Sequence, residues 1–106
     1  MLVHCTETTQ TIQIEQIIIL TRDIRQLACK TITVHLDTAN NTIPADEIYK
    51  MVKEEMHWMG HIFFSRSLFT ERSAFSGSVR LALNRRLQNK NIQCTRVNIA
   101  DVQILI

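Results

Sequence analysis

Between Thr31 and Asp37 apolar and polar positions alternate. Ile32, Val34 and Leu36 stand against Thr33, His35 and Asp37. A period of two marks a half-buried strand. Residues 11–20 carry Ile12 and Ile14 at the same spacing and then run Ile17-Ile18-Ile19-Leu20. Their β-branched side chains favour extended backbone. Ile14, Ile17, Ile18, Ile24, Leu27 and Ala28 would also share one helix face. We read 11–20 as a strand, followed by a short helical turn near 22–28. Residues 2–6 add a short strand.

The period then changes. Ala39-Asn40-Asn41 predicts a turn, since Asn tolerates unusual φ. A helix is expected over 44–59, capped by Thr42, with Pro44 in its first turn and Asp46 and Glu47 complementing its dipole. Ile48, Val52, Met56, Met59 and Phe63 fall within about 80° on a helical wheel. Lys50, Lys53, Glu54, His57 and His61 take the opposite face. Gly60 should end this helix and leave His61–Phe64 extended. A short helix over 65–75, capped by Ser65 or Ser67, leads into Ser76-Gly77-Ser78, read as a turn and N-cap. The next helix, 78–90, points Val79, Ala82, Leu83 and Leu87 inward. Ile92–Asn98 and Val102–Ile106 are expected as two strands of a C-terminal β-hairpin that turns at Ile99–Asp101. The predicted class is α+β, a single domain with residues 1–42 mainly β and 43–106 mainly helical.

Composition narrows the class without naming a task. A 106-residue chain with 45% hydrophobic residues, 2 Gly and 1 Pro is no disordered linker or loop-rich scaffold. Three cysteines, Cys5, Cys29 and Cys94, make no disulfide framework. Cys29 and Cys94 sit in apolar stretches and read as small buried hydrophobes. The longest aliphatic run is far below the ~20 residues of a membrane span. The start lacks the cationic segment of a secretory signal. No membrane association is expected, and the default compartment is cytoplasmic.

Charge is unevenly laid out. Residues 1–59 hold five cations and eight anions. Residues 60–100 hold Arg66, Arg72, Arg80, Arg85, Arg86, Lys90 and Arg96 against Glu71 alone. Such a segment suits phosphate; the alternative is a solvated helix face whose charges pair with the acidic half of the chain or with an acidic protein partner.

From residue 44 the predicted order is helix, extended piece, short helix, turn, helix, strand, turn, strand. With the stretch from Leu68 to Leu87, and Val79-x-x-Ala82-Leu83-x-x-x-Leu87 within it, this resembles winged helix-turn-helix domains. The resemblance implies a recognition helix over 78–90 lying in a DNA major groove. Read from the residues alone, that helix turns Ser78, Leu81, Asn84, Arg85 and Gln88 outward. Arg and Asn or Gln side chains suit guanine and adenine edges. Arg66, Arg72, Arg80 and Lys90 lie where phosphate contacts would position it. Arg86, near the apolar face, must snorkel or pair with an acid.

Other chemistry is thin. His57 and His61 share a face with Glu54, but solvent-exposed histidines are the expected outcome, and no metal site is assigned. His4 and Cys5 are neighbours in sequence only. There is no Gly-rich phosphate loop and no Gly-x-Ser-x-Gly elbow. Trp58 is expected in the core or a dimer interface. No catalytic residue and no cofactor are expected. The leading expectation is a small regulator, acting as a homodimer, that binds double-stranded DNA. The competing one is a non-enzymatic module, an adaptor or inhibitor, that takes an acidic protein partner through the basic half.

Overall fold

The computed structural model describes residues 1–39 and 41–106. The chain runs β1 (Leu2–Cys5), β2 (Thr9–Leu20), β3 (Gln26–Asp37), α1 (Ala45–Gly60), α2 (Ser65–Thr70), α3 (Arg72–Leu87), a 3-10 turn (Gln88–Lys90) and β4 (Gln93–Ile104). The strands form one antiparallel sheet in the order β1-β2-β3-β4. The α+β class is as expected, with strands first, helices in the middle and a strand at the end.

Helices cover one face of the sheet. The core joins Ile12, Ile14, Ile17 and Ile19 of β2, Leu27, Cys29, Ile32, Val34 and Leu36 of β3, and Cys94, Val97, Ile99 and Val102 of β4. Against these pack Ile48, Met51, Val52 and Met56 of α1, Leu68 of α2, and Phe75, Val79, Leu83 and Leu87 of α3. The inward face predicted for residues 78–90 is therefore correct. The apolar arc of α1 is also correct for Ile48, Val52 and Met56, with Met59 and Phe63 partly buried. Gly60 allows α1 to close on β2: a Cβ there would stand 3.0 Å from the Leu20 carbonyl oxygen.

Five expectations about local structure are corrected. Residues 22–28 form no helical turn. Thr21 organises a tight connection, donating its N–H to the Arg25 carbonyl at 3.0 Å and accepting the Arg25 N–H on Oγ1 at 3.1 Å. Ile24 takes a left-handed φ of 59°, and Leu27 and Ala28 already belong to β3. Thr42 makes no cap, since Pro44 occupies the N-cap of α1 without a side-chain hydrogen bond. Residues 61–63 turn instead of extending, with the N–H groups of Ile62 and Phe63 returned to the Met59 carbonyl. Ser76-Gly77-Ser78 lies within α3, because the helix starts at Arg72. The C-terminal segment is one continuous strand with no hairpin and no wing. The turn expected at Ala39-Asn40-Asn41 includes Asn40, which lies outside the described residues.

The three long strands share an irregularity. Glu15, Thr31 and Ala100 lie abreast and drop out of the pairing, while the register is the same on both sides of them. Thr31 has a left-handed φ of 52°, an outlier for a β-branched residue. The core-facing positions therefore step by three at this line: Ile14 to Ile17, Cys29 to Ile32, Ile99 to Val102. A separate bulge lies in β4, where Leu36 faces Cys94 but His35 faces Arg96, so Thr95 is the inserted residue. Bulges of this kind re-aim the side chains beside them.

Candidate functional site

The basic residues divide by what they already hold. β4 is an edge strand, and α3 runs beside it. An open edge carries backbone groups in search of partners. Asn84 supplies one set. Its Nδ2 donates to the Cys94 carbonyl at 3.0 Å, and its Oδ1 accepts the Cys94 N–H at 2.6 Å. Arg72 supplies another, with Nη1 donating to the carbonyls of Ala100 at 3.0 Å and Ile99 at 3.4 Å. Its Nε donates to the Leu68 carbonyl at 3.3 Å. Ser78 turns back on its helix, donating Oγ to the Ala74 carbonyl at 2.9 Å.

Two further cations are paired with α1. Arg86 reaches Glu54 at 3.0 Å and Glu55 at 3.4 Å, the second of the two outcomes expected of it, to snorkel or to pair with an acid. Lys90 lies 3.6 Å from Glu47. These are largely exposed pairs and contribute roughly 0–1 kcal/mol each. Arg66, Arg85 and Gln88 are exposed. Arg85 is exposed as expected of it, but the neighbour expected to share its outward face, Asn84, is half-buried and committed to β4.

Between α3 and β4 lies a groove of about 320 Å³. One wall is Arg72, Ser73, Ser76, Gly77 and Arg80; the other is Thr95 to Ile99 of β4. The helix wall is low, because its middle is built from Ser73, Ser76 and Gly77. A Cβ added at Gly77 would meet nothing within 4 Å. Arg80 comes from the helix and Arg96 from the bulged strand, so two guanidinium groups line one cleft. Among the described residues neither takes part in an ion pair.

Arg72 and Arg80, expected from the sequence as DNA contacts, both line this groove, and Arg96, which was not among those candidates, joins them. Arg96 was visible only as one cation in a strand. What brings it to the groove is the bulge at Thr95, which leaves no mark of its own in the sequence.

The two buried cysteines are not reactive groups. Burial pushes the Cys29 thiol up to about 12 and that of Cys94 up to about 11. Both stay protonated at neutral pH, and a protonated thiol is a poor nucleophile. His57 and His61 are exposed, with ring centroids 4.8 Å apart. Among the described residues no cluster of three His, Cys, Asp or Glu is arranged to hold a metal ion. Trp58 is not in the core: it is 67% exposed. No helix among the described residues is long and apolar enough to cross a membrane. No protein-family model matches the chain, and no curated protein matches its sequence.

Proposed function

We propose that the protein is a non-enzymatic interaction module that binds an acidic protein segment in the groove between α3 and β4. The observation that carries this reading is the pair Arg80 and Arg96, which line one cleft and make no ion pair among the described residues. Guanidinium groups bind carboxylates with two parallel hydrogen bonds, and two of them on one groove favour an acidic ligand over a neutral one. Duplex DNA, the other partner expected from these arginines, is less well served. Asn84 and Arg72 already hold β4 backbone, Lys90 holds Glu47, and α3 gives its flank to the strand instead of standing proud of the surface. Arg66, Arg80, Arg85, Gln88 and Arg96 are left for a nucleic acid to contact, with Arg80 and Arg96 facing the groove.

A direct competition tests the reading. Hexaglutamate and a random-sequence duplex are titrated separately into the protein at two salt concentrations. The expected result is peptide binding that weakens about tenfold on Arg96→Ala, the loss of one charge-assisted contact, and stays unchanged on Arg85→Ala. Tight duplex binding whose base preference disappears on Arg85→Lys would replace this reading with that of a major-groove regulator.

A further inference from the structure

We infer that the acidic segment binds in extended form, pairing its backbone with the open edge of β4 at Val97. This rests on the acidic-partner reading above and specifies how that partner docks. Cys94, Val97 and Ile99 all face the core, so the three have the same strand parity once the Thr95 bulge is counted as one step. Residues of one parity turn their backbone N–H and C=O groups to the same side. The groups of Cys94 turn away from β3 to meet Asn84, and the Ile99 carbonyl turns the same way to meet Arg72. The Val97 N–H and C=O therefore point outward between them, into the groove that Val97 lines. α3 secures the edge on either side of Val97 and leaves this one position open.

The space is shaped for a main chain. Opposite the strand, the middle of the helix wall consists of Ser73, Ser76 and Gly77, which leave room for an added strand between Arg72 and Arg80. A peptide residue that exchanges both hydrogen bonds with Val97 forms a single bridge, bounded by Asn84 at one end and Arg72 at the other. Neighbouring residues of an extended chain send their side chains to opposite faces. Two successive acidic residues can thus serve the groove's two free arginines. Backbone pairing supplies affinity, and the arginines supply the preference for acid, as in other cases of strand addition.

The test uses the full chain and a blocked hexaglutamate peptide, with a further version N-methylated at every amide. Amide hydrogen exchange at Val97 is followed by NMR with and without peptide. Strand addition predicts that exchange at Val97 slows at least tenfold on saturation. Because every residue of the peptide is Glu, any of its amides can take the place opposite Val97, so methylating all of them should abolish binding. Peptide binding that is lost on Arg96→Ala, with Val97 exchange unchanged and the methylated peptide still bound, overturns the strand geometry but leaves the acidic-partner reading standing. Absence of peptide binding at low salt overturns both.

Discussion

The two edges of the sheet are finished differently. β1 is four residues long, exposed throughout, and pairs with only Gln10 to Gln13 of β2. β4 is twelve residues long, pairs with most of β3, and has α3 beside it with Asn84 and Arg72 on its backbone. Short strands and covered edges both resist unwanted pairing. They differ in what they leave behind. The β1 edge is simply brief, whereas the β4 edge is held at Cys94 and again at Ile99 and Ala100 and is open between them. Where an edge is closed by side chains, its openings are chosen by which positions those side chains skip.

Removing Asn84 should have the largest effect on this contrast. Asn84→Leu leaves the Cys94 N–H and C=O without their partners at a half-buried site. We expect a loss of about 2–3 kcal/mol in urea unfolding, given about 1–3 for each unsatisfied group. A loss below about 0.5 kcal/mol, the range of neutral surface changes, would mean that water completes this edge as well as the amide does. Removing residues 1–5 tests the other edge. The protein should stay folded and lose about 1 kcal/mol or less, since the exposed pairs given up are offset by chain entropy. A loss as large as that of Asn84→Leu would erase the distinction between the edges.

The smallest expected effect lies at neither edge and appears only in acid. Asp23, in the β2–β3 connection, accepts the Ser65 hydroxyl at 2.6 Å, the Thr21 hydroxyl at 2.7 Å and the Ser65 N–H at 2.8 Å. Chiefly through the Ser65 hydroxyl, these bonds hold its carboxyl well below the ordinary range. A depressed carboxylate stabilises the fold above its unfolded pKa, and the benefit is lost as pH falls toward the folded value. Stability should therefore decline below about pH 4, and Asp23→Asn should flatten that part of the profile. Hydrogen exchange in acid should quicken first at Ser65 and the 21–25 connection, ahead of Cys94. If Cys94 led, the closure of the β4 edge would be the weaker element.

Much of the framework was legible. Ile32, Val34 and Leu36 gave β3 its alternation, and Val79, Ala82, Leu83 and Leu87 gave α3 its buried face. What blurred the strands was the step of three at Ile14–Ile17, Cys29–Ile32 and Ile99–Val102. That step made residues 11–28 fit a helical face as well as a strand, and it cut β4 into two supposed strands. The repeat of one spacing in three strands was itself a signal, but only pairing shows that the three steps lie abreast. Ser76-Gly77-Ser78 misled for another reason. Local preference for a turn lost to the burial of Phe75 and Val79 on either side, which holds the helix through it. At the candidate site, the supply of arginines was legible and their engagement was not. Whether Asn84 reads outward or grips β4 depends on how α3 is rotated against a strand ten residues further along the chain.

The line of Glu15, Thr31 and Ala100 also works as a registration mark. A strand that slips by two residues keeps its inward and outward faces, so an isoleucine-rich ladder such as β2 on β3 has neighbouring alignments of similar burial. Here a slip of two would set left-handed Thr31 against a regularly extended residue of β2 and part the three irregular positions from one another. The cost of holding a threonine in that conformation is carried once. In return, every misaligned pairing of β2, β3 and β4 carries a mismatch that the native one does not.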